Sequence, residues 1–364
     1  MSRRLPHSLG ALAAVLAAMS LPAVSVAGQA PAPAATRAAA KPAAAPARPY
    51  VQPKTPWGDP DLQGIWNDAT STPLQRPARL GEKGVLAEEE ADQFAEELAE
   101  DLNRDRRDGG PEADVNRAYN EHWMDAKRLE ATKDRRTSLI VDPPDGRIPP
   151  RIAPTPEAAK IRAARAEADA RFVAGLPDDV EDFSLPVRCI IRTDSPPYLP
   201  TIYNNDFQIF QSPGFVVIQP EMIHSARVIP VDGRPHLTKN IKLWLGDTRG
   251  HWEGNTLVVE TTNFRDDPGV TYQSTDAGSF TIIERFTRVG PDRINYEYTV
   301  SDPKTWTKPW KAMIPWNKTD DQIYEYACHE FNYDLVHLMH GSRLRQAKGE
   351  TVPARAPRPG ADDR

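Results

Sequence analysis

Three histidines of this 364-residue chain each have a carboxylate close by in sequence: His224 with Glu221, His251 with Glu253, and His329 with Glu330. Imidazole titrates near neutrality, and a neighbouring carboxylate fixes its tautomer and can raise its pKa, which is what general acid–base catalysis requires. Arg227 and Arg249 lie in the same segments, and a guanidinium presents a planar two-donor fork suited to a substrate carboxylate or phenolate. These residue types nominate His224, His251, Glu221, His329 and Glu330 as catalytic. They nominate Arg227, Arg249, Trp252, Tyr203, Asn204 and Tyr326 as substrate-binding. The competing reading for each histidine is a satisfied structural role on a strand.

The same residues could serve a metal. His251 and Glu253, two apart on a strand, would point to one face, with His224 or His329 as a third ligand. The chain has no helical HExxH and no Cys/His cluster, so no metal is expected and a metal-dependent hydrolase is the weakest of three readings. No cofactor is expected either: GxGxxG, P-loop and GxSxG motifs are all lacking, and strands do not alternate with helices as in a nucleotide-binding sheet.

The elements that must position these residues follow from periodicity. From Tyr203 onward apolar residues recur with period two. "NDFQIFQSPGFVVIQ" reads as two strands about Pro213 and Gly214, and "MIHSARVIPVDGRP" as a strand closed by Asp232 and Gly233. "HWEGNTLVVETT" turns near Gly254 and Asn255, "SFTIIERFTRV" and "RINYEYTVSDP" are joined by "GPD", and "WKAMIPW" and "QIYEYACHE" complete the series. Successive strands at hairpin spacing predict a mainly β fold, an antiparallel lipocalin-like barrel or half-barrel. "FNYDLVHLMHGSRLRQ" reads as a C-terminal helix packed on it.

Ahead of the barrel the chain reads as an N-terminal helical wrapping. "VLAEEEADQFAEELAEDLNRDRR" carries Leu86, Phe94 and Leu98 among many carboxylates, an exposed helix with a narrow apolar stripe. A second helix starts with Thr155 as N-cap and Pro156 at the first helical position, and stops at Gly175. Between them "RRTSLIVDPPDGRIPP" predicts one short strand ended by a turn at Asp145 and Gly146.

Strand phase sorts faces. Phe280, Ile282, Glu284 and Phe286 share one face, so Glu284 stands in an apolar row and must be paired or raised in pKa. Tyr296 and Tyr298 form an aromatic row with Glu297 opposite. An aromatic-rich, carboxylate-poor face suits a cavity for an aromatic or hydrophobic ligand; an ordinary aromatic core is the alternative. In "GDTRGHWEGN" the expectation is a cavity wall with Arg249 and His251 turned inward. The alternative is that Asp247 and Arg249 merely pair and Trp252 covers the barrel end.

Arg3 and Arg4 followed by "LGALAAVLAAMSLPAVSVAGQA" predict a signal peptide over 1–27, with Ser25 and Ala27 at the small-residue positions and a periplasmic or secreted product. The run is too short to remain as a membrane span. An Ala/Pro spacer covers 28–54, the wrapping region 55–185, the barrel with its terminal helix 186–347, and a tail 348–364. In an exported chain Cys189 and Cys328 predict a disulfide, which would stabilise by about 4–5 kcal/mol in the chain-entropy description. The net charge of −6 is spread over interleaved acidic and basic residues, so a nucleic-acid partner is not expected.

"TPWGDPDLQGIWNDATSTPLQRP", "RRTSLIVDPPDGRIPP", "EMIHSARVIPVDGRPH", "GDTRGHWEGNTLVVETTNF", "ERFTRV" and "IYEYACHE" resemble, in order, the motifs of a large group of exported bacterial proteins, most of them of unknown function. The pattern is carried by Arg147, Glu221, His224, Arg227, His236, Asp247, Arg249, Gly250, His251, Trp252, Glu253, Asn263, Glu284, Arg285, Tyr324, Tyr326, Cys328, His329, Glu330 and Asn332. Ser225, Asn255, Glu260 and Phe331 depart from it; Phe331 takes the place of a Gly, and a His before "ERFT" is missing. The resemblance implies lyases or decarboxylases without a cofactor that act on lignin-derived or similar aromatic compounds. The expected function is thus a cofactor-independent acid–base enzyme for a small aromatic or hydrophobic compound in a barrel cavity. The alternative is a lipocalin-like binding protein for such a ligand.

Overall fold

A computed structural model describes residues 50–105, 109–111, 124–125, 128–223, 225–267, 269–271, 274 and 277–352. The expected signal peptide, all but the end of the spacer, most of the tail and His224 lie outside the described residues. Ten strands form one antiparallel sheet in the order β5-β4-β3-β1-β10-β9-β8-β7-β6, with β2 also paired to β10. The strands are β1 (Gly64–Asn67), β2 (Ile140–Asp142), β3 (Asp206–Ser212), β4 (Phe215–Pro220), β5 (Arg227–Pro230), β6 (Asp247–Glu253), β7 (Thr256–Thr262), β8 (Thr281–Gly290), β9 (Arg293–Ser301) and β10 (Trp310–Thr319).

The hairpins fall at the expected turns, and Gly214 and Gly254 take the positive φ, 80° and 59°, that only glycine adopts without penalty. The wrapping region, in contrast, is not separate from the barrel. Its β1 is the central strand that joins the two halves, pairing Ile65 with Gln208 on one side and Thr319 on the other. "QIYEYACHE" is not a strand, and residues 321–327 carry no regular structure. The reason is positional: β10 already has β9 on one side and β1 and β2 on the other, leaving no free ladder beside it.

Helix α1 (Glu88–Leu102) lies within the segment marked by its apolar stripe, and helix α2 (Pro156–Val173) lies where its capping and stop signals put it. The Thr155 hydroxyl accepts from the Ala158 N–H at 3.2 Å. Helix α3 (Asp334–Ala347) docks on the turn after α2. The Ser342 hydroxyl donates to the Pro177 carbonyl at 2.7 Å and Arg345 Nη1 to that of Ala174 at 2.6 Å.

The sheet curls until β5 and β6 meet, making a nearly closed barrel with no hydrogen-bonded ladder at the seam. Close packing takes the ladder's place. A Cβ on Gly250 would lie 2.8 Å from Ile229 Cγ2 and 3.0 Å from Val231 Cγ1, so β6 approaches β5 as only a residue without a side chain permits. Across the same seam Arg227 reaches from β5 to the Thr248 hydroxyl on β6 (3.3 Å), the Thr261 hydroxyl on β7 (2.7 Å) and both oxygens of Glu284 on β8. Glu284 also accepts the Tyr296 hydroxyl at 2.8 Å. The carboxylate in an apolar row is therefore paired, as its position requires.

The aromatic row is a packed core. Phe207 stacks on Trp316 at 4.3 Å and Phe286 on Tyr296 at 4.8 Å, and Tyr198 contacts Phe207, Tyr296 and Trp316. These rings fill the space that the sequence suggested for a ligand.

Truncating one partner of a fully buried ion pair leaves the other charge uncompensated. Glu284→Leu and Arg227→Met are each expected to lower stability by about 3–5 kcal/mol. The double variant Arg227→Met, Glu284→Leu should lose far less than the two losses summed. Equilibrium denaturation of the four proteins measures this, and additive losses would mean that the pair is not coupled.

Candidate functional site

The structure separates the residues nominated for catalysis. On β6, residues 248, 250 and 252 face the barrel and the alternate set faces out. His251 is exposed, with its Nε2 3.2 Å from Glu253, which also pairs with Arg285 at 2.8 Å. This is an ion-pair row on the outer surface. Arg249 likewise points away from the interior, where its Nη1 meets Asp247 at 2.6 Å and its Nε the Pro235 carbonyl at 2.9 Å. Asp247 further accepts the Leu237 N–H and contacts His236 Nδ1, each at 2.8 Å. Asn263 Nδ2 donates to the Leu237 and Thr238 carbonyls. The motif-dense stretch thus pins residues 235–238 against the sheet. Half-buried Trp252 packs on the core from the inward phase.

His329 and Glu330 are exposed in the irregular segment before α3. Arg227 is buried in its pair with Glu284 and is not offered to a ligand. Glu221 is buried at the end of β4, accepts the Tyr324 N–H at 3.2 Å, and takes a further bond from the Asn204 side chain. Of the nominated side chains, Tyr203 and Tyr326 come together, their rings edge to face at 6.4 Å.

That ring pair is one wall of a cleft of about 960 Å³, outside the strands and mostly apolar. The opposite wall is the stripe of α1, Phe94, Leu98 and Leu102, and the floor is Thr70–Leu74 with Leu139. The stripe that sequence periodicity assigns to an exposed helix is a cleft wall, since an amphipathic helix needs an apolar partner and this one shares it with open space. Arg192 lines the cleft with its guanidinium 5.6 Å above the Tyr203 ring. No motif marks Arg192; its nearest signal is Cys189.

Cys189 and Cys328 form a disulfide, Sγ to Sγ 2.01 Å. It ties together two wall segments, because Arg192 follows one cysteine and Tyr326 precedes the other. Asn332 Nδ2 donates to Cys189 Sγ at 3.4 Å. Phe331, beside it, is 83% exposed and sits at φ 55°. This is the left-handed region that glycine occupies freely, which accounts for a Gly at this place in the resembled pattern.

Behind the Thr201–Tyr203 wall, where β3 begins, carboxylates and amides crowd together. Asn67 Nδ2 donates to Asp206 at 2.7 Å and to Asp125 at 3.0 Å, and Asn205 Nδ2 donates to Asp68 at 3.1 Å. Burial pushes the Asp206 carboxyl up to about 6 and raises those of Glu221 and, well above the usual range, Asp68. Asp68 Oδ2 is buried without a hydrogen-bond partner among the described residues. None of these groups lines the cleft. No group of three or more His, Cys, Asp or Glu among the described residues is arranged to hold a metal.

The chain matches no protein-family model, no curated protein and no solved structure.

Asp206 binds its proton more tightly folded than unfolded, so its contribution is fully present below its unfolded pKa near 4 and is lost as pH rises through about 6. Asp206→Asn should therefore be more stable than the parent at pH 8, by up to about 2 kcal/mol, and the gain should vanish below pH ~4. Melting temperatures across that range test the sign. Phe331→Gly should raise stability by up to about 1 kcal/mol, relief of the left-handed backbone outweighing the added freedom of the unfolded chain. Denaturant midpoints of parent and variant measure it.

Proposed function

We propose that this protein binds a small, largely apolar molecule in the cleft between α1 and the 199–203 wall. The single observation that carries the reading is the cleft itself: about 960 Å³, mostly apolar, with aliphatic and aromatic side chains on several walls and hydroxyls and two arginines among them. This is the composition of a site that holds a hydrophobic ligand and orients it by one or two polar contacts. We further propose that the protein is exported and belongs to the bacterial family that its motifs resemble. The disulfide suits an oxidising compartment, and no helix among the described residues is long and apolar enough to cross a membrane.

A second reading keeps the acid–base enzyme but moves its machinery. The pairs at His251 and His329 do not support it, since His251 lies on the outer face and His329 is exposed; His224 lies outside the described residues. Asp206, with its carboxyl near 6, and Glu221 do support it, because both stand close behind Tyr203 and Asn204 and a base poised near neutrality suits proton transfer. Neither lines the cleft, so binding is the better supported function. The aromatic lyase or decarboxylase activity implied by the resemblance belongs to this second reading.

The neutral fluorophore N-phenyl-1-naphthylamine tests the first. It should bind with micromolar affinity and a blue-shifted emission, and Leu98→Glu should weaken binding at least tenfold without lowering the melting temperature. Emission unchanged by the parent protein would sink the reading. Turnover of an aromatic acid that is lost in Asp206→Asn, with fluorophore binding retained, would instead favour the enzyme.

A further inference from the structure

Arg192 stands apart from most arginines that structure the rest of the molecule. Arg128, Arg171, Arg188, Arg227, Arg249, Arg265 and Arg285 each pair with a carboxylate. Arg192 has no carboxylate partner among the described residues, and its guanidinium is held over the Tyr203 ring. An unpaired arginine on the solvent face of a helix such as α2 calls for no explanation. An arginine without a carboxylate partner on the wall of an apolar cleft does, because low-dielectric walls focus its field on whatever enters; Arg104, just beyond the end of α1, also lines the cleft and adds to the same positive field.

The side chain is also positioned. The Arg192 N–H is accepted by Asp194 Oδ1 at 2.7 Å, which fixes the turn. The disulfide at Cys189 anchors the same segment to the strand of chain that carries Tyr326. Tyr203 stacks under the guanidinium and meets Tyr326 edge to face, so cation and rings form one rigid corner. Behind this wall Asp68 accepts the Thr201 backbone N–H and its carboxyl is raised well above the usual range by burial, and Asp194 accepts the Arg192 backbone N–H.

We propose that the natural ligand of the cleft is an amphipathic organic monoanion whose acidic group binds the Arg192 guanidinium and whose apolar body lies along Phe94, Leu98 and Leu102. The assignment rests on the cleft being a ligand site, and it adds the charge and orientation of the ligand. A guanidinium gives a carboxylate or sulfonate two parallel donors, and the exposed end of Arg192 puts that group at the mouth with the apolar part inward.

A pair of fluorophores that differ by one anionic group separates the two claims. 8-Anilinonaphthalene-1-sulfonate has the skeleton of N-phenyl-1-naphthylamine with a sulfonate added. The parent protein should bind the sulfonate at least tenfold more tightly than the neutral compound, the gain expected of one charge-assisted contact. Arg192→Gln should cut the sulfonate's affinity at least tenfold while changing the neutral compound's far less, and a melting temperature near the parent's shows that the variant is folded. Leu98→Glu should lose both. Equal affinities in the parent, or an Arg192→Gln that weakens both compounds alike, overturn the anion assignment while leaving the cleft as a binding site. Failure of both fluorophores to bind overturns the site as well.

Discussion

The pair of Arg227 and Glu284 is the constraint on which the barrel depends. β5 and β6 meet without a ladder, so the backbone supplies no hydrogen bonds to close the sheet. One guanidinium on β5 engages groups on β6, β7 and β8 instead, and Tyr296 on β9 completes the shell around the carboxylate. Taking both charges out of water is costly, and the cluster tolerates it because nearly every donor and acceptor has a partner. The aromatic core is organised around this cluster. Tyr198 donates its backbone N–H to the Tyr296 hydroxyl at 3.1 Å and lays its ring beneath the guanidinium, and burial pushes its own hydroxyl up to about 12.

Rings pack through the interior of the barrel, and the large cleft among the described residues lies outside the strands. There the cleft is made by segments with little regular structure, and it needs separate fasteners. The disulfide holds one wall, the 201–206 turn with its amides and carboxylates holds another, and α1 supplies a third. The strained residues gather here as well: Asn204 at φ 46° and buried Ile223 at φ 61° flank the carboxylate cluster. A β-branched residue in that region costs of order 1–3 kcal/mol and persists only where its surroundings over-determine it.

Much of the fold was legible because period-two alternation is a local signal: the hairpins from β3 to β9, the phase of Glu284 among Phe280, Ile282 and Phe286, and the caps of α2. What was not legible is long-range. Nothing in "GIWN" announces that four residues of the wrapping region form the strand between β3 and β10, because strand pairing at that separation leaves no local trace. "IYEYACHE" has strand composition, yet every ladder position beside β10 was taken. The site was read less well for a related reason. Residue type marks Arg227, Asp247, Arg249 and His251 as reactive, but the same chemistry that binds a substrate also binds a loop or closes a seam, and only contacts tell the two apart. Tyr203 and Tyr326, both nominated from sequence, meet on one wall of the cleft; Arg192 and the stripe of α1 acquire their meaning only from each other.

The place of β1 has a consequence for how the chain acquires its shape. Ile65 pairs with Thr319, roughly 250 residues further on, and closing so long a loop is slow. The sheet cannot be completed by the portion of chain made first, because its middle strand waits for the last one. Until that last strand is available the early hairpins are partial sheets with unpaired edges, and the barrel closes in one late step that needs both ends of the described chain at once.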